Sequence, residues 1–183
     1  MCGRFQFHFE NREQKEWLKA YYPEMDSFHF LEGERFPSQS ALLFVLEQNK
    51  VVPKLLKWGF QGERGNRLIN ARAETLHQRP TFQRWLENRC VIVTNGFYEW
   101  RKEGKRKVKY HIGKKDRYLY LAGLYNDAQE FVIITCAAYG EMADYHDRCP
   151  LVLTRDQMIV YLKLGTFPDC EQCFTYTKCQ SDQ

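Results

Sequence analysis

The most restrictive feature of this chain is a train of short β-type runs between residues 90 and 138: CVIV, FYEWRK, KVKYHI, YLYLAGLY and EFVIITCAA. Each is rich in β-branched and aromatic residues, and Gly, Asn or charged turns separate them. Runs this short and this close together leave little room for crossover helices, so they predict strands that are mainly antiparallel. CGRFQFHF alternates and reads as a further strand, as do ALLFVLE at 41–47 and VVPKLLKWGF, which ends on Trp58 and Gly59. GERFPSQS at 33–40 reads as a loop and QGERGNR as a turn, while the stretch from Leu68 to Leu76 fits neither helix nor strand clearly. Three helices are expected. ENREQKEWLKAYY gives the first, PTFQRWLEN opens on Pro80, and TRDQMIVYLKLG runs from an N-cap at Thr154 to Gly165. The sum is one α+β domain over residues 1–183.

A chain of 183 residues buries a real core without disulfide or metal staples. Its seven cysteines are odd in number and irregularly spaced, which fits a reducing cytoplasm better than a secreted disulfide framework. No apolar run reaches membrane-spanning length, and CGRFQFHFENRE has no secretory h-region. The net charge of +4 is unevenly placed. Segment 101–117, RKEGKRKVKYHIGKKDR, holds nine Lys or Arg against two acids, so the rest of the chain is net acidic. Two readings stay open for it, a solvated hairpin face and a patch for a nucleic-acid backbone.

Four stretches concentrate side chains that a plain strand does not need: MCGRF, INARAET from Ile69, NGFYEW from Asn95 and HDRCP from His146. Removal of Met1 turns Cys2 into a 1,2-aminothiol, with an α-amine and a thiol on neighbouring carbons. Glu99 alternates away from Tyr98 and Trp100; as an exposed strand residue it is inert, and as a buried one its pKa rises toward that of a usable general acid. Cys170, Cys173 and Cys179 have zinc-like local spacing but no evident fourth ligand, so neither a metal nor a cofactor is expected. Trp17 and Trp85 lie on helix-like stretches and read as core, and Cys90 and Cys136 read as buried thiols.

In order and together, MCGR, the WG of 58–59, INARAET, RCVI…GFYEW, the AGLY of 122–125 and HDRCPLVL resemble the SOS-response-associated peptidase (SRAP) family, whose members shield abasic sites in single-stranded DNA. The likeness spans residues 2 to about 153. It implies a barrel-like, mainly antiparallel β core with a few short helices. It also implies that Cys2 is the nucleophile, with Asn70, Glu99 and His146 as the other active-site residues. Arg4, Trp58, Arg72, Arg79 and Trp100 match positions lining the DNA-binding surface, and Pro37 matches a loop that enters the base stack. Two departures stand out: RFPSQ lacks the Tyr-Asn pair usual before that loop, and Cys149 replaces the usual Met or Arg.

The implied reaction follows from aldehyde chemistry. A ring-opened abasic site presents C1′ as an aldehyde, the α-amine of Cys2 condenses with it to an imine, and the thiol closes a thiazolidine ring on the same carbon. Only an N-terminal cysteine makes the second addition effectively intramolecular. The expected protein is therefore a cytoplasmic monomer that cross-links to abasic single-stranded DNA and has possible self-processing at Met1. The competing readings are an N-terminal-nucleophile peptidase or amidase acting in trans, and a non-covalent single-strand binder.

Overall fold

The computed structural model describes residues 2–62, 65–114, 118–167 and 173–179. In chain order it contains β1 (Phe5–Phe7), α1 (Arg12–Lys19), β2 (Gly33–Arg35), β3 (Ser40–Glu47), β4 (Lys50–Trp58), β5 (Phe60–Gln61), β6 (Arg67–Leu68) and β7 (Asn70–Arg72). The second half adds α2 (Pro80–Gln83), β8 (Arg89–Thr94), β9 (Gly96–Glu103), β10 (Arg106–Gly113), β11 (Leu119–Tyr125) and β12 (Glu130–Ala137). It closes with β13 (Arg148–Pro150), β14 (Val152–Leu153), α3 (Arg155–Leu164) and β15 (Thr175–Lys178). Three short 3-10 turns link these elements.

The large sheet runs β13-β12-β4-β3-β8-β11-β14, and β12 pairs with β11 as well as β4. The pairings of β4, β3, β8, β11 and β12 thus return on themselves in a ring. It is not a regular barrel, because β12 joins β4 in parallel over only Lys57 and Trp58. Pro53 is tolerated within β4 for the same reason: among the described residues, upstream of Lys57 that strand pairs with β3 alone, so one edge needs no N–H donor. The second sheet, β15-β10-β9-β1-β2, is wholly antiparallel.

Alternation along the ring strands explains why both faces are dry. Cys90 and Ile92 of β8, with Phe131 and Ile133 of β12, face a core shared with Phe5, Phe97 and Ile112 of the second sheet. Val91, Val132 and Ile134 point the other way, against Met158, Tyr161 and Leu162 of α3. Helix α3 carries the expected caps: the Thr154 hydroxyl accepts from the Gln157 N–H, and Gly165 takes a left-handed φ of 69°. Asn11 caps α1 in the same manner, and Leu18 buries that helix against Phe7, Phe28 and Val93.

Several local expectations change. GERFPSQS is not wholly loop, because Gly33–Arg35 pairs with β1. The undecided stretch after Leu68 resolves into β7 and a 3-10 turn. Helix α2 stops at Gln83, since the chain must turn to enter β8 at Arg89. A tail strand, β15, extends the second sheet. Trp17 is not core: it is 43% exposed, resting on Tyr21 and Phe44. Cys90 is fully buried, whereas Cys136 is only partly so. Cys170 lies outside the described residues.

Candidate active site

Strand β1 is threaded between β2 and β9, and this places the residues before it at the heart of the molecule. Phe5 pairs with Phe97, and the Tyr98 N–H donates to the Arg4 carbonyl at 2.9 Å, so Cys2 comes beside Glu99. Cys2 is fully buried within the core shared by the two sheets. Asn70 arrives from β7, which pairs in parallel with β12. Its Nδ2 donates to the Cys2 carbonyl at 2.9 Å. Its Oδ1 is buried and accepts no hydrogen bond among the described residues.

Glu99 is 4% exposed. Burial, with the Asp147 carboxylate adding repulsion, pushes its pKa up to about 7. At neutral pH it is thus close to half protonated, the condition under which one carboxyl both gives and takes a proton. Burial likewise pushes the Cys2 thiol well above its ordinary range, and the negative charge of Glu99 pushes it further. The thiol therefore stays protonated, its S–H directed at the Arg4 carbonyl at 3.8 Å.

His146 follows the 3-10 turn Gly140–Asp144 and is held by its own N–H to the Met142 carbonyl. Its Nδ1 lies 2.9 Å from the Arg148 N–H and 2.6 Å from Asp147 Oδ1. One nitrogen cannot serve both partners at once: neutral imidazole accepts from Arg148, and imidazolium donates to Asp147. Partial burial lowers the His146 pKa, which favours the neutral, base-competent form. The repulsion that Asp147 exerts on Glu99 places this loop at the edge of the site.

Two anchoring residues were not singled out from sequence although both sit inside quoted motifs. Arg148 of HDRCP makes a bidentate pair with Glu74 of INARAET, at 2.6 and 2.8 Å, and donates to the Thr135 carbonyl at 2.7 Å. The Arg148 hydrogen bonds hold the Glu74 carboxyl down at a pKa of about 2. Two motifs far apart in sequence are thereby tied together, and the complementary charges were the available signal. Glu34, in the GERFPSQS stretch, is a further anchor: it accepts from Arg4 at 3.1 Å and from Lys109.

The predicted DNA-facing residues divide. Arg4 lies 4.4 Å from the Phe36 ring centroid and 5.1 Å from that of Trp100, forming a cation–π ladder on a partly exposed surface. Arg72 and Arg79 are exposed, and Pro37 is partly exposed next to Ser38, whose φ is 75°. Trp58 differs from expectation. It is fully buried, stacked on Phe131 with its Nε1 donating to the Ile69 carbonyl at 3.0 Å, so it has no face for a base. Its backbone instead steadies the Pro37 loop: the Ser38 N–H donates to the Trp58 carbonyl, and the Trp58 N–H to the Gln39 carbonyl.

A buried Cys2 held by the Asn70 amide, set beside a ring of short strands, is the geometric setting, and the chain belongs to a family: the one described as SOS response associated peptidase (SRAP), which matches residues 1–180. Among individual relatives, it is similar to the abasic site processing protein YoqW of Bacillus subtilis, with 33% identity over 92% of this chain and 84% of that one. The abasic site processing protein YedK of Escherichia coli is 35% identical over 48% of this chain and 43% of its own. A solved structure from Bordetella bronchiseptica superposes with a TM-score of 0.76 at 18% identity, covering 98% of this chain and 100% of that one. At that identity the likeness is one of fold.

Proposed function

We propose that this protein processes abasic sites in single-stranded DNA by forming a covalent thiazolidine link through Cys2 once Met1 is removed. The observation that carries this reading is the convergence on Cys2 of the Asn70 amide and the buried Glu99 carboxyl. The raised thiol pKa sets the order of events. A thiol kept protonated is a poor first nucleophile, whereas an α-amine of pKa about 7.7–8.0 supplies neutral amine near pH 7. The amine therefore attacks C1′ first and loses water to give the imine, and the thiol then adds to the imine carbon as its proton passes to the nitrogen.

In this scheme Glu99 protonates the sugar ring oxygen as the hemiacetal opens, then shuttles protons as the carbinolamine collapses. His146 acts as the second acid–base group, and Asn70 orients the amine or a sugar hydroxyl through its open Oδ1. Arg4, Arg72 and Arg79 contact phosphates without reading sequence, and Trp100 stacks on a flanking base. Pro37 wedges beside the lesion. The protein acts as a cytoplasmic monomer, and Met1 leaves by self-cleavage or by an aminopeptidase.

A cysteine peptidase acting in trans needs its thiol within reach of a peptide substrate, and Cys2 is fully buried. The test is a denaturing gel of the protein mixed with uracil-containing single-stranded DNA and uracil-DNA glycosylase. A band that survives denaturation is expected for the Met1-processed protein. It is expected to vanish in Cys2→Ala and in protein carrying extra N-terminal residues. A cross-link that persists in Cys2→Ala would sink the mechanism.

A further inference from the structure

The basic stretch RKEGKRKVK plays no part in the chemistry above, yet it includes the far end of the strand that carries Glu99 and the start of the strand that follows. Strands β9 and β10 make a hairpin whose turn passes through Gly104, with a φ of 60°. Alternation gives it two faces. One is fastened to the protein: Arg101 lies over the Tyr145 ring at 5.1 Å, Tyr110 meets Tyr145 at 4.9 Å, and Tyr145 stacks on Tyr176 at 4.4 Å. Glu103 completes that side by accepting from Tyr110 and, at 2.9 Å, from Lys178. The hairpin is thus braced, and its other face is presented in a fixed orientation.

That other face carries Tyr98, Trp100 and Lys102 on β9, with Lys109 and Lys107 on β10. Its charges are unequal in kind. Arg4 and Lys109 already share Glu34. Lys102 and Lys107 stand directly opposite each other, both exposed, and neither has an ion pair among the described residues. Like charges in direct cross-strand register work against the hairpin they sit on. The pair also shares a face with Trp100: two residues of strand, about 7 Å, separate Lys102 from it. Against Trp100 lies the Arg4–Phe36 ladder.

We infer that Lys102 and Lys107 form a phosphate clamp for the single-stranded flank of the lesion, taking the nucleic-acid backbone from Trp100 out along the hairpin. This deepens the proposed function and rests on it for the direction of the strand. The clamp itself requires only a polyanionic chain, and the bound phosphates would relieve the repulsion between the two ammonium groups. The remainder of the chain is net acidic, so attraction is focused on this one arm.

The test uses undamaged single-stranded DNA of about 20 nucleotides, so that binding is read whether or not Cys2 cross-links. Fluorescence anisotropy is recorded for the full chain, Lys102→Ala/Lys107→Ala, Lys102→Arg/Lys107→Arg and the charge-matched control Lys19→Ala/Lys163→Ala. The alanine pair should bind about tenfold more weakly, and the slope of log affinity against log salt should fall by about 1.4, from two contacts at about 0.7 each. The arginine pair should restore both. The melting temperature of the alanine pair should be unchanged or higher than that of the parent, because a repulsive pair has been removed. Unchanged affinity and slope in the alanine pair, or an equal loss in the control, would overturn the clamp. A loss seen only with a duplex of the same length would overturn its assignment to a single strand. Failure of the parent to cross-link abasic DNA would count against the proposed function alone.

Discussion

Strand β9 passes through two electrostatic worlds within a few residues. At Glu99 it is sealed under Cys2 and Phe97, and at Lys102 it stands in water. In the sealed corner a single charge is expensive to solvate, so pKa values move and acid–base chemistry becomes possible at neutral pH. On the exposed hairpin the same strand geometry leaves charges in high dielectric, where each is screened and acts by summation. One element thus carries a buried acid at one end and exposed charge at the other, and burial alone separates them.

The comparison is broken most sharply at Glu99. Glu99→Gln should slow cross-linking by about 100-fold or more, while affinity for undamaged single strands stays near that of the parent. An equal loss of both would make Glu99 structural and erase the distinction between the two ends of β9. The tryptophans provide the next test. Trp58→Ala, which empties a fully buried site, should cost about 3–5 kcal/mol in urea denaturation. Trp100→Ala should instead cost about 1–3 kcal/mol in DNA binding with little change in stability. A reversal of those two readouts would return Trp58 to the DNA-facing surface.

The pH dependence of stability sharpens the same point with a defined sign. The folded pKa of Glu99, about 7, lies above its ordinary value of 4.5. Its contribution is therefore complete below about pH 4.5 and is lost as pH rises through 7. Compared with Glu99→Gln, the parent should lose roughly 3 kcal/mol across that window, measured by denaturant titration at a series of pH values. Glu74 behaves oppositely. Its pKa, lowered to about 2, gives stability that is present above 4.5 and lost as pH falls through 2. Because its side chain is 47% exposed, Glu74→Gln should cost only about 1 kcal/mol at pH 7, and the gap should close toward pH 2.

The alternation of the strand runs made most of the ladder legible, and the caps of α3 were readable because Thr154 and Gly165 act locally. Short pieces were not. β2 and β15 have no periodicity of their own and exist because β1 and β10 offer them an edge. Helix α2 was overestimated because propensity favoured continuing where the entry into β8 demanded a turn. Cys2 stood out by its position and Glu99 by its aromatic neighbours, Asn70 and His146 came only through the family resemblance, and nothing beyond complementary charge linked Arg148 to Glu74 or Arg4 to Glu34.

What the sequence determined by itself is the inventory: a cysteine directly behind Met1, an acid set among aromatics, and a basic hairpin. Covalent position and side-chain chemistry are local properties, and folding does not change them. What only the tertiary structure decided is environment. Trp58 and Trp100 are the same residue, yet ring closure seals one against Phe131 while the other reaches the Arg4 ladder. Glu99 is an ordinary carboxylate on paper and a group titrating near 7 in the fold, because desolvation depends on every chain segment that packs over it.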